Sequence, residues 1–312
     1  MGQERGPEQP QSLAELLAEL SNKPGGDRRI DRARARTIAT LERWTSSGSL
    51  SSIAEFGWQT ARRDASVGGS VLAGALAYRI FIWLLPLALV LVLGLGLIAG
   101  STARAAELVG DAGITGVLAT SVSGAAEGTS GWALVTGLAV AGVVLLYQSY
   151  ALLRAVRAVT ALAWHLPVRP PPSPPRDTLL FLAWMLAFAG TSASLTAIRV
   201  HLDQPLELVA IAGSYVVLPG FWIALSWWLL PHGDVHWTGL VPGAIVVGTA
   251  MTLISLFNSL ILFPWLGRQE ETYGVLGVAA GLLFSFFLIG RSIELAAAAN
   301  AVRAERSRLA RP

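Results

Sequence analysis

Six apolar stretches, each of about 20 residues or more, interrupt an otherwise polar chain: Val71–Ala99, Gly131–Leu153, Thr178–Val200, Glu207–Leu230, Thr238–Leu262 and Gly274–Ala298. A helix needs roughly 20 apolar residues to cross a ~30 Å hydrocarbon core. Lipid offers no partner to the unpaired N–H and C=O groups of an open strand. The stretches also lack the apolar/polar alternation of an outer-membrane barrel. The expected fold class is therefore all-α, a polytopic membrane bundle of six transmembrane helices. Composition follows from these stretches. Apolar residues make up 53% of the chain and charged residues 14%, against about 25% charge in a soluble domain; mean hydropathy is +0.56.

The chain contains no cysteine, which excludes disulfides, thiol nucleophiles and thiolate metal sites. Its first 70 residues are polar and charged, and no cleavable signal peptide is expected there. Lys23 is the only lysine beside 22 arginines. With the abundant alanine, that usage is the composition of a high-GC bacterial genome.

Arginine also orients the bundle, because cytoplasmic loops collect Lys and Arg. The tail before the first stretch carries ten basic residues, the connection between stretches 2 and 3 carries Arg154, Arg157, Arg169 and Arg176, and the C-terminal tail carries four more. The alternate loops carry only Arg104, Arg199 and Arg268. Both termini are expected in the cytoplasm, in a bacterial plasma membrane. Arg28, Arg29, Arg32, Arg34 and Arg36 form a basic cluster diluted by Asp27 and Asp31. With no nucleic-acid module beside it, the cluster reads as attraction to anionic lipid, at ~1 kcal/mol per basic residue near the surface.

Four segments are expected. Residues 1–49 form a partly disordered cytoplasmic tail, with a helical patch at Leu13–Leu20. Residues 50–70 form an amphipathic interfacial helix, with Leu50, Ile53, Ala54, Gly57 and Ala61 on one face. Residues 71–300 form the six-helix domain, and residues 301–312 a basic tail. The helix of stretch 2 should continue past the membrane until Pro167–Pro175 ends it. Pro86 and Pro219–Gly220 fall mid-span in stretches 1 and 4, where proline removes a backbone hydrogen bond. They are expected as helix-break points, at matching positions of two three-helix halves. Gly96 with Gly100, and Gly277 with Gly281, are spaced for close helix contact.

A charge inside a span costs about 2.5–3.5 kcal/mol on insertion scales. Arg79, Arg291 and Glu294 carry that cost, and Arg291 and Glu294 share one helical face. Two readings stand. One is a net-positive cavity open to the cytoplasm that receives an anionic headgroup, with Tyr147, Gln148, Ser149, Tyr150, Asn258 and Ser259 as polar lining. The other is a structural ion pair, with Arg79 snorkelling to the interface. His232, Asp234 and His236 form an HGDVH run, read as a tight turn with Trp237 at the interface. No metal and no cofactor is expected. Phosphate-loop, GxSxG and HExxH motifs are absent from the sequence, and the chain is not expected to be an enzyme.

Three segments carry a family resemblance. Gly74-Ala75-Leu76-Ala77-Tyr78 followed by Pro86, Leu230-Pro231 with Trp237 and Pro242-Gly243-Ala244, and Tyr273–Gly277 resemble motifs of the YihY/virulence factor BrkB family. The resemblance covers about residues 57–301. The family's Gly-Ala-Glu-Leu-Asn-like string reads here as Ala296–Asn300: Asn300 fits, the acidic position falls on Ala298, and Glu294 lies one turn earlier. The resemblance implies a six-span bacterial inner-membrane protein, some of whose relatives were once labelled ribonuclease BN, with links to envelope integrity and lipid export.

The expected function is a transporter or flippase-like exporter of an anionic amphiphile, with membrane lipids as partners and no nucleic acid. Arg79 and Arg291 would meet the headgroup and Glu294 would balance charge. The alternative is a non-transporting scaffold that docks a cytoplasmic partner or anionic lipid through its basic tail and the 154–176 connection.

Overall fold

The computed structural model describes residues 48–99, 131–201, 206–232 and 235–309. Expectations for the N-terminal tail, including Leu13–Leu20 and Arg28–Arg36, for the 100–130 loop and for Asp234 lie outside those residues. The regular structure of the described residues is all helical, with no strand among them. Seven long helices follow in order: α1 (Gly48–Val67), α2 (Gly69–Ala99), α3 (Gly131–Ala163), α4 (Pro174–His201), α5 (Leu206–Trp228), α6 (Val241–Phe257) and α7 (Phe263–Leu309). A 3-10 turn at Trp237–Leu240 precedes α6, and a π-helical turn at Asn258–Leu262 follows it.

Four helical stretches among the described residues are long and apolar enough to cross a membrane: Gly69–Leu91, Trp132–Ala163, Trp237–Phe257 and Ala279–Leu309. Val216–Trp228 in α5 is a shorter apolar helix. Outward faces are apolar too. Val140, Val143 and Tyr147 on α3, Leu179 and Leu180 on α4, Ile245 and Leu253 on α6, and Leu260 in the π-helical turn after it are all exposed. Apolar exposure on that scale needs a nonaqueous surrounding.

Helices adjacent in sequence pack against each other, and α7 closes back onto α2, so α2 to α7 form a ring in chain order. α7 also touches α1 and α3. Its segment Ala296–Val302 is buried at every position, which a helix achieves only when neighbours surround it. Alanine makes that possible, since small side chains let backbones approach. Gly290 does the same against α2, where a Cβ would come within 2.6 Å of the Ala73 carbonyl oxygen. The core joins Leu76, Trp83 and Leu87 of α2 to Leu152 and Val156 of α3, Phe181 of α4, Trp222 and Leu225 of α5 and Val247 of α6.

α2 and α5 run without interruption through Pro86 and Pro219–Gly220. The expected break points are therefore interior helix positions. Proline is tolerated where neighbours close around it. Pro86 is buried, and the Pro219 ring seats against Gly248 of α6, where a Cβ would meet its Cγ at 2.6 Å.

The helix of stretch 2 ends at Ala163, ahead of the Pro167–Pro175 run expected to stop it, because His165 enters the left-handed region at φ 51°. α4 then starts on Pro174, whose missing N–H costs nothing at a first helical position. The C-terminal tail, in contrast, remains helical to Leu309.

Contacts fix which helix ends lie together. Arg63 of α1 donates through Nε to the Ala163 carbonyl at the end of α3, at 2.8 Å. Arg157 of α3 donates to the Leu229 carbonyl just past α5. Both place a cation on a helix C-terminus, where carbonyls lack partners and the dipole is negative. Asn300 Oδ1 accepts from Gly243 N in the first turn of α6, at 2.7 Å. The start of α2 and the ends of α3, α5 and α7 thus meet the start of α6 at one end of the ring, beside α1.

Candidate functional site

Three charged side chains meet where α1 turns into α2. Arg291 of α7 forks onto both carboxylate oxygens of Asp64, and its Nη1 also lies 3.1 Å from Glu294 Oε2. The turn needs Gly68, whose φ of +70° disfavours a side chain. Gly69 needs its missing Cβ for space, because one there would overlap the Asp64 carboxylate and come within 2.7 Å of both Arg291 Nη1 and Glu294 Cδ. Burial alone would raise the Asp64 carboxyl. The forked hydrogen bonds from Arg291 and its guanidinium charge outweigh it and hold the group below its ordinary value. Glu294 is fully buried, and its Oε1 has no hydrogen-bond partner among the described residues.

The second polar feature is a small recess of about 10 Å³ between α3, α5, α6 and α7, room for a single water-sized group. Thr160, Trp222, Ser226, His232, Leu240 and Asn300 lie in its wall, and none of its lining residues is charged Asp, Glu, Lys or Arg. Trp222 is 6% exposed and its Nε1 has no hydrogen-bond partner among the described residues. Thr160 spends its hydroxyl hydrogen on the Val156 carbonyl. Asn300 spends its carbonyl on Gly243 and keeps its NH₂. The wall therefore presents donors from Trp222, Asn300 and Ser226, an arrangement that suits an oxygen-rich polar group.

The residues singled out from the sequence divide between these and other places. Arg291 and Glu294 pair, as their spacing on one helical face suggested. Arg79 is exposed on α2 and makes no ion pair with Glu294 among the described residues. Tyr147 is exposed and Gln148 half-buried on α3. Asn258 accepts from Ser285 of α7 at 3.0 Å, which packs the far half of α6 on α7. Ser149 is buried, receives Trp83 Nε1 at 2.8 Å and donates to the Leu145 carbonyl, so it joins α2 to α3. His232 and His236 stack around Trp227, with His236 also against Trp237. The described residues contain no group of His, Cys, Asp and Glu that could hold a metal ion.

Asp64, Trp222, Ser226 and the recess role of Asn300 were not legible as a site. Asp64 carried one usable signal, being the last charge before stretch 1.

The profile of the family described as virulence factor BrkB matches residues 61–312. The chain belongs to that family. No curated protein and no solved structure matches it. The BrkB-family segments noted in the sequence turn out to be contact points. Leu76, with Ala73 just before the motif, packs on Gly290 of α7, Pro86 is buried, and the Gly243 of Pro242-Gly243-Ala244 meets Asn300. A Cβ at Gly243 would come within 2.5 Å of the Ala296 carbonyl oxygen, so two motif pieces 57 residues apart depend on each other.

Proposed function

We propose that this BrkB-family protein is a six-span, multi-pass protein of the bacterial plasma membrane, with both termini cytoplasmic, that exports an anionic amphiphile in the manner of a flippase and so supports envelope integrity. It acts on membrane lipids or a lipid-like molecule and catalyses no chemical reaction. The observation that carries the reading is the donor-lined recess at the basic end of the ring. The recess seats one oxygen of a headgroup against Trp222, Ser226 and Asn300, while the rest of the headgroup stays outside it and the chains lie along the apolar outer faces. Arg291 is committed to Asp64 and Glu294, so the headgroup role expected of Arg79 and Arg291 passes to the recess.

The test is lipid translocation in proteoliposomes with fluorescent anionic and zwitterionic lipids. Wild-type protein is expected to move anionic lipid. Trp222→Phe/Ser226→Ala removes two donors and should slow it about thirtyfold, since each hydrogen bond contributes about 1 kcal/mol. Arg79→Ala should slow it less. No translocation by folded protein over several headgroups would shift the weight to a scaffold, a reading favoured by the exposed Arg154, Arg169 and Arg176 on the 154–176 connection.

A further inference from the structure

Two carboxylates share one guanidinium at the α1–α7 junction. Glu294 is the more demanding of the two: its side chain has no exposed surface, and Oε1 has no donor to meet. A buried ionised carboxylate with an unmet oxygen beside a second negative charge is strongly disfavoured. Other charges nearby are already used or lie away. On α1, Arg63 serves Glu305 and the Ala163 carbonyl, and Arg62 is half-buried with partners of its own. Arg157 on α3 serves the Leu229 carbonyl, and Arg154 over Tyr150 is exposed. Arg79 on α2 is exposed. Farther along α7, Arg306 serves Gln59. Arg291 is thus the one cation bonded to either carboxylate among the described residues.

We propose that Asp64, Arg291 and Glu294 form a proton-binding site, and that a proton on Glu294 holds α1 against α7. With the proton bound, the guanidinium faces one negative charge, and the bare Oε1 becomes an O–H that donates to Asp64. Without it, two negative charges face one cation in a buried place. The packing around Gly69 leaves no spare volume, which suits a proton and excludes a hydrated metal ion. Release of the proton displaces Asp64 rather than Glu294. Glu294 is enclosed by the core, whereas Asp64 sits on a helix whose other face is exposed at Ile53, Gly57 and Ala61. Gly68 supplies the joint. The site stands on the ion cluster alone and does not depend on the amphiphile reading.

The native chain has no cysteine, so two introduced cysteines report without background. Ala61→Cys and Ser307→Cys, both exposed positions, would carry spin labels on the full-length protein in lipid nanodiscs. Their distance would be measured by pulsed EPR from about pH 5 to about pH 10, a range beginning above ordinary carboxylate values. The expected result is one short distance at low pH and a population longer by ~5 Å or more, a helix turn, at high pH. Glu294→Gln mimics the protonated acid and should stay short throughout. Asp64→Asn removes one of the two negative charges and should also lose the pH response. A native distance that does not change with pH overturns the proposal. So does a pH response that persists in Glu294→Gln or, if that variant fails to fold, in Asp64→Asn.

Discussion

The Asn300 amide holds the first turn of α6 through one backbone donor. Pro242 has no N–H and Leu240 provides no side-chain cap, so the Gly243 N–H would otherwise be buried unpaired. Asn300→Ala is therefore expected to cost about 1–3 kcal/mol, read as a lower melting temperature in detergent. Asn300→Asp, which keeps the acceptor, should recover part of it. Asp64 acts on pH instead. Its folded carboxyl lies below the ordinary value, so its contribution is complete above the unfolded value of ~3.9 and is lost as pH falls through the folded one. Asp64→Asn should lower the melting temperature at neutral pH, at a cost of about 3 kcal/mol for a buried pair. The gap from wild type should close in strong acid. Arg291 and Glu294 were legible together because three residues on a helix make neighbours. Asp64, 227 positions from Arg291, was not, because only the fold brings them together.

Among the elements, α1 shows the two faces its pattern suggested and adds which partner the polar one takes. Ile53, Gly57 and Ala61 of the expected apolar face are exposed, whereas Thr60 and Asp64 are buried and Arg63 and Gln59 bond to α7. The polar face finds charged partners on protein, and the apolar face is left to the headgroup region. Periodicity reported that two faces exist but not which one the protein takes. Arg63→Ala removes the Ala163 and Glu305 contacts together and should expose α1. The check is limited proteolysis, with cleavage between residues 48 and 67 faster by about fivefold or more, since ~1 kcal/mol of lost docking is a factor of about five. Pro86 and Pro219 show a similar limit. Their chemistry predicts a lost hydrogen bond, but packing decides whether the helix stops, and Gly248 across from Pro219 is the residue that decides it there. Gly248→Leu is expected to disrupt the α5–α6 contact more than any substitution at exposed Ile245.

For the whole molecule, the bundle class and the helix order were legible because apolar length dictates them; the ring closure and the recess were not, since both depend on side chains that meet only after packing. Single cysteines at Ser66, Ser173 and Ser307, all exposed, should react with an impermeant thiol reagent from the cytoplasmic face of oriented membranes, and a cysteine at Trp132 from the opposite face. Labelling of Ser66→Cys and Ser307→Cys from different faces would reject the proposed orientation. One consequence concerns how such a ring can move. Adjacent residues Arg63 and Asp64 reach partners on α7 fourteen positions apart, Glu305 and Arg291, a span of about 21 Å along a helix axis. α1 is therefore tied to α7 at two well-separated levels. Two such ties act as a brace, resisting piston-like sliding of α7 past α1 in either direction.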